Sequence, residues 1–182
     1  MSTAPVHKAI ILRGPPGVGK SAVRDLLRRH LGQTARAINL DAFWGKDEWR
    51  YAQPDFRYAD LQLAPEPVLL VELAWGEPPG LSFPGATRGA KEWVEILQKA
   101  NRKIFPFLLV ADWYDILKRL TDRHGPHAHQ NVLDQLGRVS FYEHKHYLFT
   151  YPTIPGFTEQ TIDTTGRSEE SVANEIKKVA GL

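Results

Sequence analysis

The chain has no cysteine among its 182 residues. A disulfide scaffold, a thiolate zinc site and a cysteine nucleophile are therefore excluded together, and the composition suits a reducing cytosol. No stretch reaches the ~18 apolar residues of a membrane span. Met1 to Val6 also lack the positive run and following apolar segment of a secretory signal. The expectation is a soluble, cytoplasmic protein. A charge excess is missing as well: 23 Lys and Arg stand against 21 Asp and Glu, a net charge of +2. Such a balance gives no footprint for tight binding of long nucleic acid. There is no internal repeat, low-complexity tract or linker.

What is present is the composition of a globular chain, with 42% hydrophobic and 24% charged residues, 14 Gly and 13 Pro. The length fits a single domain over residues 1–182. Ala9 to Leu12 is a short apolar run closed by Arg13 and a Gly/Pro cluster, which reads as a buried strand. From Lys20, Val23, Leu26, Leu27 and Leu31 recur at helical spacing with Arg24, Arg28 and Arg29 outward, and Gly32 is a stop. Ala35 to Leu40 reads as a second strand ending at Asp41. Val68 to Val71, closed by Glu72, has the unbroken apolar character of a strand covered on both faces. A helix follows from about Arg88 to Asn101 with Trp93, Ile96 and Leu97 inward, then a strand from Ile104 to Val110 that tolerates Pro106. The next helix carries Trp113, Ile116, Leu117 and Leu120 on one face and breaks at Gly125 and Pro126. Gln130 to Tyr147 reads as helical. A last strand ends at Thr161 to Asp163, and Ser168 with Glu169 and Glu170 opens a C-terminal helix striped by Val172, Ile176 and Val179.

Strands alternating with helices predict right-handed crossovers and a parallel sheet between two helical layers. Ligands in such sheets bind beyond the carboxyl ends of the strands. That rule singles out Gly14, Asp41, Glu72, Ala111 and Thr164.

Immediately after the first strand stands Gly14-Pro15-Pro16-Gly17-Val18-Gly19-Lys20-Ser21, a match to the G-x-x-x-x-G-K-[ST] phosphate loop. A chance match in a chain of this composition has a probability of roughly 1% or less. Its place between a strand and a helix lets consecutive amides converge on an anion while the helix dipole adds positive potential. The prolines lack N–H groups but precede Gly17, so the amides of Gly17, Val18, Gly19, Lys20 and Ser21 remain as donors. Lys20 is expected to reach the β- and γ-phosphates of ATP, and Ser21 to ligate Mg²⁺. An Asn-Lys-x-Asp guanine motif and a Leu-Ser-Gly-Gly-Gln signature are both absent.

Other residues carry two readings each. Asp41 suits a carboxylate beside the attacking hydroxyl if the first two strands lie close, with a helix N-cap as the alternative. Glu72 is a candidate to orient Mg²⁺ or its water with a metal or Lys20 as partner, or a solvated strand end. Arg119 and Arg123 share a helical face and can engage phosphate oxygens, or pair with Asp115 and Asp122. Arg88 suits an anionic acceptor or plain solvent. His124, His127 and His129 have spacing for zinc, although histidines in a polar loop are commonly solvated. His144 and His146 point to opposite sides of a helix. Phe43, Trp44, Trp49, Tyr51, Phe56 and Tyr58 either stack on a planar acceptor, helped by Arg50 and Arg57, or anchor an irregular segment.

The chain resembles the small P-loop kinases, a group that includes gluconate kinases, chloramphenicol phosphotransferase, polynucleotide 5′-hydroxyl kinases and zeta-type toxins. The resemblance rests on the phosphate loop, on Leu40-Asp41-Ala42-Phe43, on Arg119 and Arg123 before a Gly/Pro break, and on Ile162-Asp163-Thr164-Thr165 before a capped helix. It implies a P-loop NTPase fold, three-layer α/β/α with a five-stranded parallel sheet and a small lid around 119–131. It further implies Asp41 as general base, Arg119 and Arg123 as lid arginines on phosphates, and Thr164 with Thr165 at adenine. The expected activity is ATP- and Mg²⁺-dependent transfer of the γ-phosphoryl group to a hydroxyl of a small-molecule or nucleotide-like acceptor. A nucleotide-binding switch or partner-regulated ATPase is the alternative, and a polynucleotide 5′-hydroxyl kinase a third, disfavoured by the near-neutral charge.

Overall fold

The computed structural model describes residues 6–15, 17–39, 64–73, 90–125, 127, 154 and 156–182. Five strands alternate with four helices along them: β1 (Lys8–Arg13), α1 (Lys20–Leu31), β2 (Ala35–Asn39), β3 (Val68–Glu72), α2 (Ala90–Lys99), β4 (Lys103–Val110), α3 (Trp113–His124), β5 (Gln160–Asp163) and α4 (Glu169–Ala180). The helix expected over Gln130 to Tyr147 lies outside the described residues, as do the aromatic segment from Phe43 to Tyr58 and most of the expected lid beyond Gly125. Among the described residues no helix is long and apolar enough to cross a membrane.

The strands form one sheet in the order β2-β3-β1-β4-β5, and every neighbouring pair is parallel. β1 is central, with Ile10 opposite Leu70 on one side and Phe105 on the other. β3 therefore stands between β1 and β2, so the first two strands are not adjacent, and the acid that ends β3 is the one brought nearest to the loop after β1. Pro106 is tolerated because β5 pairs only with Phe107 to Val110. Among the described residues, the strand at Pro106 has a neighbour on the β1 side alone, which suits a residue with no N–H.

Alternation along the strands divides the apolar residues into two layers. Ile10 and Leu12 of β1 and Leu70 of β3 pack with Val23 and Leu27 of α1, Ile116 and Leu120 of α3, and Val172 and Ile176 of α4. Ala9, Ile11, Leu69 and Val71 face the other way and pack with Val94, Ile96 and Leu97 of α2 and with Ile154. The sheet is thus covered on both faces, the three-layer arrangement that its unbroken apolar runs predict. Trp93, expected beside Ile96 and Leu97, lies outside the described side chains.

The last helix is fixed at both ends. Ser168 Oγ accepts from the Ser171 N–H at 3.2 Å, and Glu169 and Glu170 complement the positive end of the helix dipole. At the other end Lys8 Nζ, from the first strand, donates to the Ala180 and Gly181 carbonyls at 2.9 and 2.7 Å. A cation on the terminal carbonyls is what that end of the dipole favours. The apolar stripe differs from expectation at one position: Val179 is 42% exposed, while Ala173 and Ala180 are buried with Val172 and Ile176. Residues 172, 173, 176 and 180 share a face about 100° wide, and Val179 falls just beyond its edge although it keeps the i, i+4, i+7 spacing.

Truncation at these two positions separates the readings. Ile176→Ala should destabilise the fold by about 2–5 kcal/mol in chemical denaturation, as for other buried large-to-small changes. Val179→Ala should stay within about 0.5 kcal/mol of the parent. Equal costs at the two positions would contradict the packing described.

Candidate phosphate-binding site

The segment between β1 and α1 is shaped by two close approaches. Gly14 has φ +133°, and a β-carbon there would stand 2.2 Å from the Leu109 carbonyl oxygen of β4. Gly17 has φ +87°, and its β-carbon would meet Ile116 Cγ2 of α3 at 2.9 Å. Only residues without a side chain let the backbone lie this near two neighbouring elements. α1 then begins at Lys20 behind Gly19, which holds a left-handed N-cap conformation and makes no side-chain cap. The first-turn N–H groups have no capping side chain, and the first turn contains no acid. This is the local electrostatics of an anion site.

Lys20 is 6% exposed. Its Nζ donates to the Gly14 and Pro15 carbonyls at 2.8 and 3.1 Å, so the ammonium is drawn over the loop rather than into solvent. Ser21 Oγ donates to Glu72 Oε1 at 2.8 Å. Glu72 is 4% exposed, and its Oε2 accepts from Arg24 Nη1 at 2.6 Å. Ser21 and Arg24 are thus partners of Glu72 in the fold, and Arg24 is one the sequence did not point to. Arg24, expected among the outward arginines of α1, turns inward to it. It lies one helical turn beyond Ser21 on the same face, and β3 beside β1 brings the carboxylate within reach.

The loops after β4 and β5 are tied together next to this site. Asp112 caps α3 by accepting from the Asp115 N–H at 2.9 Å, and its own N–H donates to Thr165 Oγ1 at 2.9 Å. Asp115 Oδ2 accepts from the Gly166 N–H at 2.9 Å and from Arg119 Nη2 at 2.8 Å. Arg119 also donates to the Thr164 carbonyl at 2.7 Å and to Thr164 Oγ1 at 3.0 Å. Thr164 is 3% exposed, and its hydroxyl is 3.1 Å from both the Val18 and Val110 carbonyl oxygens. One side chain thus links the phosphate loop, β4, β5 and α3.

These elements enclose a cleft of about 780 Å³. Ala22, Val23, Leu26 and Val172 give it an apolar side, and Arg119, Arg123 and Arg167 line it together with the acids Asp122, Glu169 and Glu170. Gly17, Val18, Gly19 and Thr164 also border it. Of the residues singled out from sequence, the structure brings together the loop, Ser21 with Glu72, and Arg119 with Thr164 and Arg123 around the cleft. Thr165 is engaged with Asp112, and Arg123 is exposed at the cleft edge. Asp41, Arg88 and His129 lie outside the described residues, as does the side chain of His124, while His127 is exposed.

Sequence reasoning missed one half-buried and two buried arginines or their partners. Arg24 is one. Arg13, fully buried at the end of β1, pairs with Glu159 Oε2 at 2.6 Å. That carboxylate oxygen also accepts from the Ile154 N–H at 2.9 Å. Arg102 donates to the Ala64 and Glu66 carbonyls at 2.6 and 3.0 Å, and burial lowers its pKa. The helical offset of Arg24 from Ser21 was a usable signal. The other two partners become neighbours only through the sheet.

The oxygen donors Ser21 and Glu72 are hard ligands and few in number, which suits Mg²⁺, an ion that keeps several waters and takes its remaining ligands from phosphates. Among the described residues no group of three or more His, Cys, Asp or Glu side chains is placed to hold a metal. The donor set therefore fits a metal shared with a nucleotide better than one caged by the protein.

No family model matches the sequence, and no curated protein does. Solved structures do match in fold. A tunicamycin resistance protein from Deinococcus radiodurans aligns at 17% identity over 96% of each chain with a TM-score of 0.56. A gluconokinase from Sinorhizobium meliloti 1021 aligns at 15% identity over 98% of this chain and 96% of its own, with a TM-score of 0.54. The Mycobacterium tuberculosis APS kinase, solved with AMPPNP and APS, aligns at 16% identity over 98% of this chain and all of its own, with a TM-score of 0.53. The parallel sheet, its two helical layers and the loop after β1 define a P-loop NTPase fold. The same fold is seen in the gluconokinase and the APS kinase.

The β5 end of the site has a testable electrostatic signature. The Thr165 hydroxyl and N–H, with Arg167 and Arg119 contributing charge, hold the Asp163 carboxyl below the usual carboxylate range despite some desolvation. A depressed folded-state pKa contributes stability that is present above the unfolded value of about 3.9 and lost as pH falls through the folded value. Carboxyl-carbon NMR of Asp163 should titrate with a midpoint below that of an unfolded peptide, and an equal or higher midpoint would contradict the turn geometry.

Proposed function

We propose that the protein is an ATP- and Mg²⁺-dependent kinase that transfers the γ-phosphoryl group to a hydroxyl of a small-molecule or nucleotide-like acceptor. The observation that carries this reading is the 2.8 Å hydrogen bond between Ser21 of the loop and Glu72 at the end of β3, residues 51 positions apart that each have the chemistry to attend a Mg²⁺ ion. The fold shared with the solved kinases supports it.

Phosphoryl transfer asks a protein for alignment and charge neutralisation more than for covalent chemistry. In this reading the amides of Gly17 to Ser21 hold the nucleotide phosphates, with Gly14 giving the loop its turn. Lys20 moves its ammonium from the loop carbonyls to the β- and γ-phosphates. Ser21 offers its oxygen to Mg²⁺, and Glu72 orients that hydroxyl or a metal-bound water. Mg²⁺, when bound, neutralises charge that develops between the β- and γ-phosphates. Thr164 and Thr165 frame the adenine side of the cleft, Arg119 engages the nucleotide phosphates, and Arg123 closes over the transferring group. Asp41 accepts the proton of the acceptor hydroxyl as the oxygen–phosphorus bond forms and the bond to ADP breaks.

The near-neutral net charge of +2 favours a small acceptor over a long nucleic acid. ATP consumption should be measured across hydroxylated metabolites, aminoglycosides, nucleosides and oligonucleotides. A phosphorylated acceptor is the expected product; release of phosphate to water with none formed would favour a partner-regulated ATPase. With the acceptor identified, Lys20→Ala should lower turnover by roughly 10²-fold or more, and near-normal turnover would sink the assignment. Asp41→Asn should bind ATP as the parent does and lose transfer, so unchanged kinetics would place the base elsewhere.

A further inference from the structure

Arg24 is the one partner of Glu72 that nothing in the phosphate-binding scheme uses. It lies on α1, three residues after Ser21, with its side chain 14% exposed. Glu72 Oε1 accepts from Ser21 at 2.8 Å and Oε2 from Arg24 Nη1 at 2.6 Å. The rest of the guanidinium is held by the exposed neighbour Asp25, whose Oδ1 accepts from Nε at 2.8 Å and from Nη2 at 2.7 Å. Arg24 is thereby fixed from two sides, with its charge set directly against the buried carboxylate.

A 4% exposed carboxylate beside a hydroxyl is an incipient site for a divalent cation even without a nucleotide. A permanently charged guanidinium on the second oxygen removes most of that attraction, since neighbouring like charges oppose each other strongly where water is excluded. The hydrogen bond also fixes the carboxylate plane, leaving Oε1 directed to Ser21. We propose that Arg24 is a positioning residue and charge counterweight: it keeps Glu72 from binding a metal ion in the empty enzyme, so that the metal arrives with the nucleotide phosphates and leaves with the product. This rests on the reading of Ser21 and Glu72 as the Mg²⁺ site. A lysine in place of Arg24 keeps the charge. Glutamine keeps a donor of hydrogen bonds and loses the charge, which separates the two contributions.

The test is binding of Mn²⁺, as a paramagnetic stand-in for Mg²⁺, to the nucleotide-free full chain, followed by electron paramagnetic resonance. Arg24→Gln should bind Mn²⁺ at least tenfold more tightly than the parent, Arg24→Lys should remain within a few-fold of it, and Arg24→Gln with Glu72→Gln should return to the parent value. Thermal denaturation of each variant verifies that it is folded. If Arg24→Gln does not fold, the lysine variant and Glu72→Gln alone carry the comparison: parent-like Mn²⁺ affinity in the first and no further weakening in the second are expected. Unchanged Mn²⁺ affinity in folded Arg24→Gln, or a gain that persists without Glu72, would overturn the proposal. So would Mn²⁺ binding by Arg24→Lys more than tenfold tighter than the parent, or marked weakening in Glu72→Gln. Mg²⁺·ATP binding by the parent, measured by calorimetry, distinguishes the two levels: if it is present, a failed metal test removes Arg24 alone, and if it is absent, both readings fall.

Discussion

The carbonyl oxygen of Leu109 occupies the space where residue 14 would carry a β-carbon, 2.2 Å from the ideal position. Much of the site depends on that contact. Because Gly14 can press against β4, the chain leaves the centre of the sheet at the point where β1 has strands on both sides, and it turns at once into α1. Gly17 repeats the constraint against α3. The packing of two neighbours shapes the loop, and the Lys20 ammonium on the Gly14 and Pro15 carbonyls ties it from within. Its amides and the positive end of α1 are held in place by the fold, the preorganisation that makes electrostatic stabilisation effective.

A second set of contacts joins this loop to the far side of the cleft. Thr164 reaches the Val18 carbonyl, and Arg119 bridges Asp115 and Thr164. Buried polar groups of this kind cost free energy when left unmade, so they specify one arrangement of the β4 and β5 loops relative to the phosphate loop. Arg119 and Thr164 act in the folded state as parts of the cleft wall. Arg123, one turn further along α3, carries its charge at the edge, where an anion can still approach.

Much of the scaffold was legible in the sequence because its signals are local. Unbroken apolar runs marked β1 and β3, the i, i+3, i+4 pattern marked α1 and α3, and Ser168 marked the start of α4. The phosphate loop was legible for the same reason, being a contiguous pattern with a definite mechanism. What escaped was non-local or carried by small residues. Arg24 looked outward because its polar neighbours Asp25 and Arg28 do, and only the adjacency of β3 to β1 reveals Glu72 as its partner. Ala173 and Ala180, rather than Val179, complete the buried side of α4, and alanine does not stand out in a hydrophobic pattern. The Arg13–Glu159 pair required knowing which face of β1 the residue occupies and which segment covers it. Asp41, the acid on which the transfer chemistry is proposed to turn, rests on its place after β2 and on the family resemblance alone.

The central proposal is that the segment from Gly17 to Ser21 holds nucleotide phosphates with its backbone amides, with Arg119 and Arg123 at the phosphates and Thr164 at the base side. Amide NMR during titration with Mg²⁺·ATP tests it most directly. Saturable shifts concentrated at Gly17, Val18, Gly19, Lys20 and Ser21, with a second group at Arg119, Arg123 and Thr164, are the predicted result. No saturable shift at the loop, or a binding footprint elsewhere on the fold, would contradict the account.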